Sequence, residues 1–309
     1  MPGIHHVTAI AGEPARNLNF YRRDLGLRFV KKTVNFDDPS TYHFYYGDAT
    51  GSPGTILTFF VWPGAQAGWP GGGEVHQTAF RVPLSSLDYW TKRLTERGVS
   101  CQAMETRFGE PVLPFSDPDG MPLMLAGVAG VESEPAWSNR DIPIDYAIRG
   151  LHGATLVLDS VEKTGAILTD VLGFQEVGRE GALTRFAASG EAKGCLIDLK
   201  EKKGVMRGHQ GRGSVHHIAF RAADDAEQAM MVEKLKSAHE MHPTEQKDRN
   251  YFRSIYFREP GGVLFEIATD IPGFAVDETV DMLGRNLKLP GFLETRRREI
   301  ESGLPVLKD

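Results

Sequence analysis

The sequence predicts an α+β fold built from four βαβββ modules and a helical tail, on three observations. First, four short apolar stretches carry a histidine at their second position: IHHVTAI from Ile4, VHQTAFRV from Val75, LHGATLVL from Leu151 and VHHIAFRA from Val215. Second, each is followed by a stretch of helical length and pattern. Third, each unit closes on a glycine turn leading into an apolar strand: GSPGTILTFF, DPDGMPLMLAG, EAKGCLIDLK and EPGGVLFEIAT. The units recur about 65–75 residues apart, too long for a solenoid repeat and enough for one helix and four strands.

Taken in order, the first helical stretch is PARNLNFYRRDLGLRFV, which places Leu18, Tyr21 and Leu25 on one face and stops at Gly26. The second is LDYWTKRLTERGV. The third, VEKTGAILTDVLGFQEV, repeats the design, with Leu-Gly-Phe matching Leu-Gly-Leu of the first. The fourth is AEQAMMVEKLKSA. Strand-rich stretches bounded by Gly, Pro and Asp follow each helix. The chain is expected to divide into an N-terminal pair of modules (1–140), a C-terminal pair (141–270) and an extension (271–309). The LETRRREIESGL segment of that extension predicts a helix packed over a module or a subunit interface.

Bulk properties set the broad class. The chain has 309 residues, 41% hydrophobic and 25% charged, as in a globular protein with a full core. A formal net charge of -6 gives no support for nucleic-acid binding. The longest apolar run, ILTFFVW at 56–62, is far below the roughly 20 residues that span a bilayer. MPGIHH lacks a charged-then-apolar signal region, so the expectation is a cytoplasmic protein without membrane partners. Cys101 and Cys195 form no CxxC, and both are expected to be buried small hydrophobes.

Three longer blocks carry a family resemblance. They are LGLRFVKKTVNFDDPSTYHFYYGDATGSPGTILTFF (25–60), DRNYFRSIYFREPGGVLFEIATD (248–270) and the tail LKLPGFLETRRREIESGLP. With the fourfold repeat they make residues 4–270 resemble the vicinal oxygen chelate superfamily, the glyoxalase, bleomycin-resistance and extradiol-dioxygenase group. The narrower likeness is to its hydroquinone-cleaving ring dioxygenases. The resemblance implies that the modules form two curved mixed-sheet barrels, each around a cavity. It also implies a homo-oligomer.

The histidines fall into two phases. Aligned without gaps, the opening strands share the first histidine as His5, His76, His152 and His216. The next position reads His6, Gln77, Gly153 and His217. Adjacent strand residues point to opposite faces, so both phases cannot aim straight into one cavity. Aligned on their glycine turns, the closing strands match Glu266 with Thr58, Met124 and Asp198. A carboxylate in the apolar run VLFEIA is expected to be buried, and without a cation it would cost several kcal/mol.

Two neutral imidazoles and one carboxylate are the facial triad of non-haem Fe(II) oxygenases. The sequence offers one such set in phase, His6, His217 and Glu266, joining the first and fourth modules. The usual two-domain extradiol layout would use His152 instead. His152 belongs to the other phase, and Gly153 stands where the ligand should be. The residues matching the hydroquinone-cleaving subgroup's ligands are the same three. Fe(II) is the expected cofactor, with Mn(II) compatible with the same ligands. A second site at Asp198 with His76 and His152 is disfavoured by Gln77 and Gly153, which makes those two histidines structural.

The resemblance further implies that His5, His216, Thr8 and Arg249 act in catalysis. A bulge at the strand start is the expected means of turning His5 or His216 toward the substrate as general base. Which of the two takes that role stays open. Tyr251 is assigned to substrate binding. The implied reaction opens a para-dihydroxybenzene ring with both atoms of O2. Rival readings are a catechol-type extradiol dioxygenase, a glyoxalase-like isomerase or thiol transferase, and a metal-free sequestering module. An isomerase would need a carboxylate where this chain has Thr58. A sequestering module would have no use for Glu266.

Overall fold

The computed structural model describes residues 2–190 and 193–307. Glu191 and Ala192 of the third glycine turn, and Lys308 and Asp309 of the tail, lie outside the described residues. Each module has the expected βαβββ order. The first comprises β1 (Ile4–Ala11), α1 (Pro14–Asn19), β2 (Arg28–Val34), β3 (Tyr42–Gly47) and β4 (Ile56–Val61). The second comprises β5 (Glu74–Pro83), α2 (Leu87–Glu96), β6 (Glu105–Arg107), β7 (Glu110–Ser116) and β8 (Pro122–Val128). The third comprises β9 (Gly150–Leu158), α3 (Glu162–Asp170), β10 (Phe174–Glu180), β11 (Leu183–Ala188) and β12 (Leu196–Glu201). The fourth comprises β13 (Ser214–Ala222), α4 (Asp225–His239), β14 (Lys247–Asp248), β15 (Phe252–Arg258) and β16 (Leu264–Pro272).

The modules assemble into two curved eight-stranded sheets, and pairing does not follow sequence halves. Sheet one runs β14-β15-β16-β13-β1-β4-β3-β2, and sheet two runs β10-β11-β12-β9-β5-β8-β7-β6. The first module therefore joins the fourth, and the second joins the third. The contiguous pairs 1–140 and 141–270 do not each close a sheet. The joins are the antiparallel seams β1–β13, between the first and last modules, and β5–β9, between the two middle ones.

Strand alternation separates core from cavity. On β1, Val7 and Ala9 join the main apolar core with Phe20, Tyr21 and Leu25, while His6 and Thr8 take the opposite face. The first helix is shorter than expected. After Asn19 it widens into a π-turn over Phe20–Asp24, then ends at Gly26 with φ 73°, a conformation a glycine adopts without strain. Asp224 caps α4 by accepting from the Ala226 and Glu227 amides, worth about 1 kcal/mol. Gln228 pins that helix to sheet one by donating to Ile267 O at 2.7 Å and Arg253 O at 2.9 Å, which steadies β16.

The tail is helical in short pieces. Its final segment begins as a 3-10 turn (Gly291–Arg296) and continues as α5 (Arg297–Gly303), shorter than the expected helix. Cys101 and Cys195 are free and pack against the core, but only partly buried. Among the described residues, no helix is long and apolar enough to cross a membrane.

Candidate metal centre and active site

The register pairs confirm the alignment of closing strands. Thr8 pairs with Thr58, Ala79 with Met124, Thr155 with Asp198 and Ala219 with Glu266. These are equivalent positions in the four modules.

The β1–β13 register explains the doubled histidines. Ile4 faces Phe220 and His6 faces Ala219, so His5 is an extra residue. Thr8 faces His217 and Ala9 faces Val215, so His216 is another. On the β5–β9 seam the same shifts make His76 and His152 the extra residues. The histidine phase present in all four modules is therefore the bulge phase. The second phase stays in regular register and faces the cavity.

His6, His217 and Glu266 meet on that face. Their ligand atoms lie within 4.8 Å of one another, and all three residues are buried. Glu266 Oε2 stands 2.9 Å from His217 Nε2 and 3.4 Å from His6 Nε2. Ser254 holds the other oxygen, donating to Oε1 at 2.5 Å. Among the described residues, no donor reaches Oε2 with hydrogen-bond geometry, so a fully buried carboxylate oxygen points between two imidazole nitrogens. Burial alone would raise the Glu266 carboxyl, but His6 and His217 hold it well below the usual carboxylate range. Burial lowers His217 as well, against the pull of Glu266. Two imidazoles and a carboxylate on one face are a donor set that fits a divalent metal ion.

The triad lines a partly enclosed cavity. Phe36, Phe60, Phe252 and Tyr256 supply its flat apolar walls, and Thr8, Asn35, His43, Tyr45 and Arg249 its remaining polar lining. Arg249 donates to Asp37 Oδ2 at 2.9 Å and to the Tyr256 hydroxyl at 3.3 Å. Burial works against its charge, but Tyr256 and Asp37 raise its pKa further.

Of the residues named from sequence, His6, His217, Glu266, Thr8 and Arg249 come together around this cavity. His5 and His216 do not line it. His5 Nδ1 lies 2.9 Å from His6 Nδ1, and His216 Nδ1 lies 2.8 Å from His217 Nδ1. The expected bulge is present, but it turns each ring onto the back of its neighbour and not toward a substrate. Burial takes His5 well below its ordinary pKa and His216 to about 3, so both rings are neutral.

Tyr251 does not line this cavity either. It is buried, donates to Asp277 Oδ2 at 3.1 Å and packs under Lys31, whose ammonium is 4.8 Å from the ring centre. Lys31 in turn holds Asp277 and Glu278 at 2.6 Å each. This cluster fastens the tail to the first module, and it consumes the Tyr251 hydroxyl.

Several lining residues were missed in the sequence. His43, Tyr45 and Tyr256 carry polar groups; Phe60 and Phe252 carry walls. Extending the gapless alignment one strand back would have found three of them. Tyr45 pairs with Thr58 as Tyr256 pairs with Glu266, and His43 precedes Tyr45 as Ser254 precedes Tyr256.

Comparison with known proteins agrees with the geometry. Residues 3–125 and 150–267 match the Glyoxalase/Bleomycin resistance protein/Dioxygenase superfamily. The provisionally named ring-cleaving dioxygenase MhqO of Bacillus subtilis is 46% identical over 302 residues, 98% of this chain and 95% of that one. A chlorohydroquinone/hydroquinone 1,2-dioxygenase of Sphingobium indicum is 33% identical over 309 residues, 96% of this chain and 94% of the other. The crystal structure of a provisionally named Bacillus subtilis dioxygenase superposes with a TM-score of 0.94 at 45% identity, covering 99% and 97% of the two chains. Glyoxalase I from Zea mays shares the fold alone, with a TM-score of 0.66 at 14% identity over 87% of this chain and 93% of that one. The chain belongs to the Glyoxalase/Bleomycin resistance protein/Dioxygenase superfamily. Its full-length relatives make it an enzyme of the dioxygenase branch.

Proposed function

We propose that the enzyme opens the ring of a hydroquinone, substituted or not, with Fe(II) held by His6, His217 and Glu266 and with O2 as co-substrate. The observation that carries this reading is the buried triad at the floor of an aromatic cavity. His6, His217 and Glu266 would hold Fe(II) by three positions and leave others open, where the metal would supply redox and Lewis-acid chemistry to a ring oxygen and O2. Mn(II) would serve the same ligand set.

The chain's own residues supply binding, orientation and charge. Phe36, Phe60 and Phe252 suit a flat aromatic ring and keep bulk water from it. Arg249, fixed by Asp37 and Tyr256, presents a permanent cation to negative charge developing on a ring oxygen. His5 and His216 act through the ligands. A ligand imidazole bound through Nε2 keeps its proton on Nδ1 and donates it to the neutral ring behind, which fixes tautomer and orientation. His5→Phe is expected to weaken metal affinity by about 10–100-fold, read by metal competition titration. Unchanged affinity would return His5 to a merely structural role.

The relative acting on chlorohydroquinone and hydroquinone supports the para-dihydroxy substrate class. Thr58 in the slot opposite Glu266 speaks against a glyoxalase-type centre, which would use a second carboxylate there. The test is O2 uptake by anaerobically purified, Fe(II)-loaded protein with hydroquinone, chlorohydroquinone and catechol. One O2 consumed per hydroquinone with a ring-opened product supports the reading. Consumption with catechol alone, or none with any dihydroxybenzene, overturns it.

A further inference from the structure

Thr58, His43 and Tyr45 form a polar chain along the cavity wall that the chemistry above does not use. Thr58 donates to Thr8 Oγ1 at 2.9 Å, and both hydroxyls are fully buried. A hydroxyl has one proton, so toward His43 Nε2, 2.8 Å away, Thr58 can only accept. That fixes the His43 proton on Nε2. Enclosure in the cavity wall holds the His43 imidazole well below its ordinary pKa, so the ring is neutral and its Nδ1 is a lone pair. The Tyr45 hydroxyl, 2.9 Å from Nδ1, must then be a donor.

Every bond in the chain therefore runs one way, from Tyr45 to His43 to Thr58 to Thr8. Thr8 ends it with a proton that no acceptor among the described residues takes. Its side chain lines the cavity beside His6, His217 and Glu266. The fourth module shows what this register position does: Ser254, the counterpart of His43, orients the ligand carboxylate Glu266. In the first module the same position orients a hydroxyl.

We propose that His43 and Thr58 are positioning residues that commit the Thr8 hydroxyl to donate a hydrogen bond to a negatively charged oxygen of the aromatic substrate. The proposal rests on the ring-opening reading of the site and names one of its charge-stabilising groups. Donors aligned head to tail polarise one another, so the terminal donor is stronger than an isolated threonine.

The test uses the full chain and four variants: Thr8→Val, Thr58→Val, His43→Phe and His43→Gln. The non-catalytic readout is anaerobic binding of 4-nitrophenol, whose bound phenolate is seen by its visible absorption. With the Thr8 donor no longer polarised and held toward the phenolate oxygen, the apparent pKa of the bound phenol is expected to rise by about one unit in Thr58→Val and His43→Phe. His43→Gln, whose amide N–H reaches toward Thr58, is expected to restore the wild-type value. In turnover, Thr8→Val is expected to lose about 100-fold in kcat, and Thr8→Val/His43→Phe no more than Thr8→Val alone. Additive losses, or a phenol pKa unmoved in Thr58→Val and His43→Phe while wild type turns over hydroquinone, overturn the proposal and leave the functional reading standing. A wild type that neither turns over hydroquinone nor binds 4-nitrophenol removes both.

Discussion

Sheets one and two are built on the same register, yet they solve the problem of a buried carboxylate differently. In sheet one, Glu266 faces two imidazole Nε2 atoms and keeps one oxygen without a well-directed donor. In sheet two the equivalent residue is Asp198, and the two positions equivalent to His6 and His217 are Gln77 and Gly153. Arg185 fills the gap. It donates bidentately to Asp198 at 2.8 and 2.9 Å, and its third nitrogen reaches Glu110 at 2.9 Å. His152, the buried histidine of the bulge phase, also contacts Glu110, at 3.1 Å. A guanidinium brings its own positive charge and hydrogen-bond fork, so sheet two needs no ion. One repeat thus yields a candidate metal site, whose cation would be separable from its ligands, and a copy where charge and partner are fused into the chain.

A third buried carboxylate sharpens the contrast. Asp117, in the turn between β7 and β8, has neither metal ligands nor a bidentate arginine. It accepts from the Tyr21 hydroxyl at 3.0 Å and from the Asp119 and Met121 amides at 2.9 and 2.8 Å. These bonds only partly offset burial, which raises its pKa to about 6.

The largest expected effect is on the separable site. Glu266→Gln keeps the side-chain volume but removes the charge, and is expected to bring hydroquinone-dependent O2 uptake to background with the fold intact by circular dichroism. In sheet two, Arg185→Leu leaves Asp198 buried and uncompensated. It is expected to cost about 3–5 kcal/mol in urea unfolding, while metal content stays at the wild-type level. The double change Arg185→Leu/Asp198→Leu is expected to recover most of that loss; no recovery would mean that the pair is not the reason for the cost.

The Asp117 effect is expected to appear as a pH dependence. Its folded pKa of about 6 lies above the unfolded value, so between roughly pH 4 and 6 the folded state binds more protons than the unfolded one. This group's contribution is complete below pH 4 and is lost as pH rises through 6, by about 3 kcal/mol at most. Asp117→Asn is expected to flatten that component of the stability profile, measured by urea unfolding across pH 4–7. The smallest effect is expected at the tail cluster. Tyr251→Phe removes one hydrogen bond, worth about 1 kcal/mol, and is expected to leave KM for hydroquinone unchanged. A raised KM would restore Tyr251 to the substrate pocket.

The fold and the meeting of His6, His217 and Glu266 were legible because both rest on period and alignment. The fourfold histidine marks, the glycine turns and the two-residue strand period located His6, His217 and Glu266 without any distance. The roles of His5 and His216 were not legible. Sequence gives the parity of a strand residue but not whether a bulge turns its ring into the cavity or onto its neighbour. The setting of Tyr251 was hidden for a related reason, since Lys31 of the first module and Asp277 of the tail meet it only in the folded chain. The pairing of modules was half visible. The ligand phase joined the first to the fourth, while the contiguous grouping of halves ignored it. His43 and Tyr45 were within reach of the same alignment, one strand earlier.

The most direct test of the contrast between the sheets is iron stoichiometry by equilibrium dialysis and elemental analysis under anaerobic conditions, in wild type, Glu266→Gln and Asp198→Asn. One Fe(II) per chain in wild type and in Asp198→Asn, with none retained by Glu266→Gln, is the expected result. Two ions per chain, loss of iron in Asp198→Asn, or full retention in Glu266→Gln would contradict the assignment of the metal to sheet one.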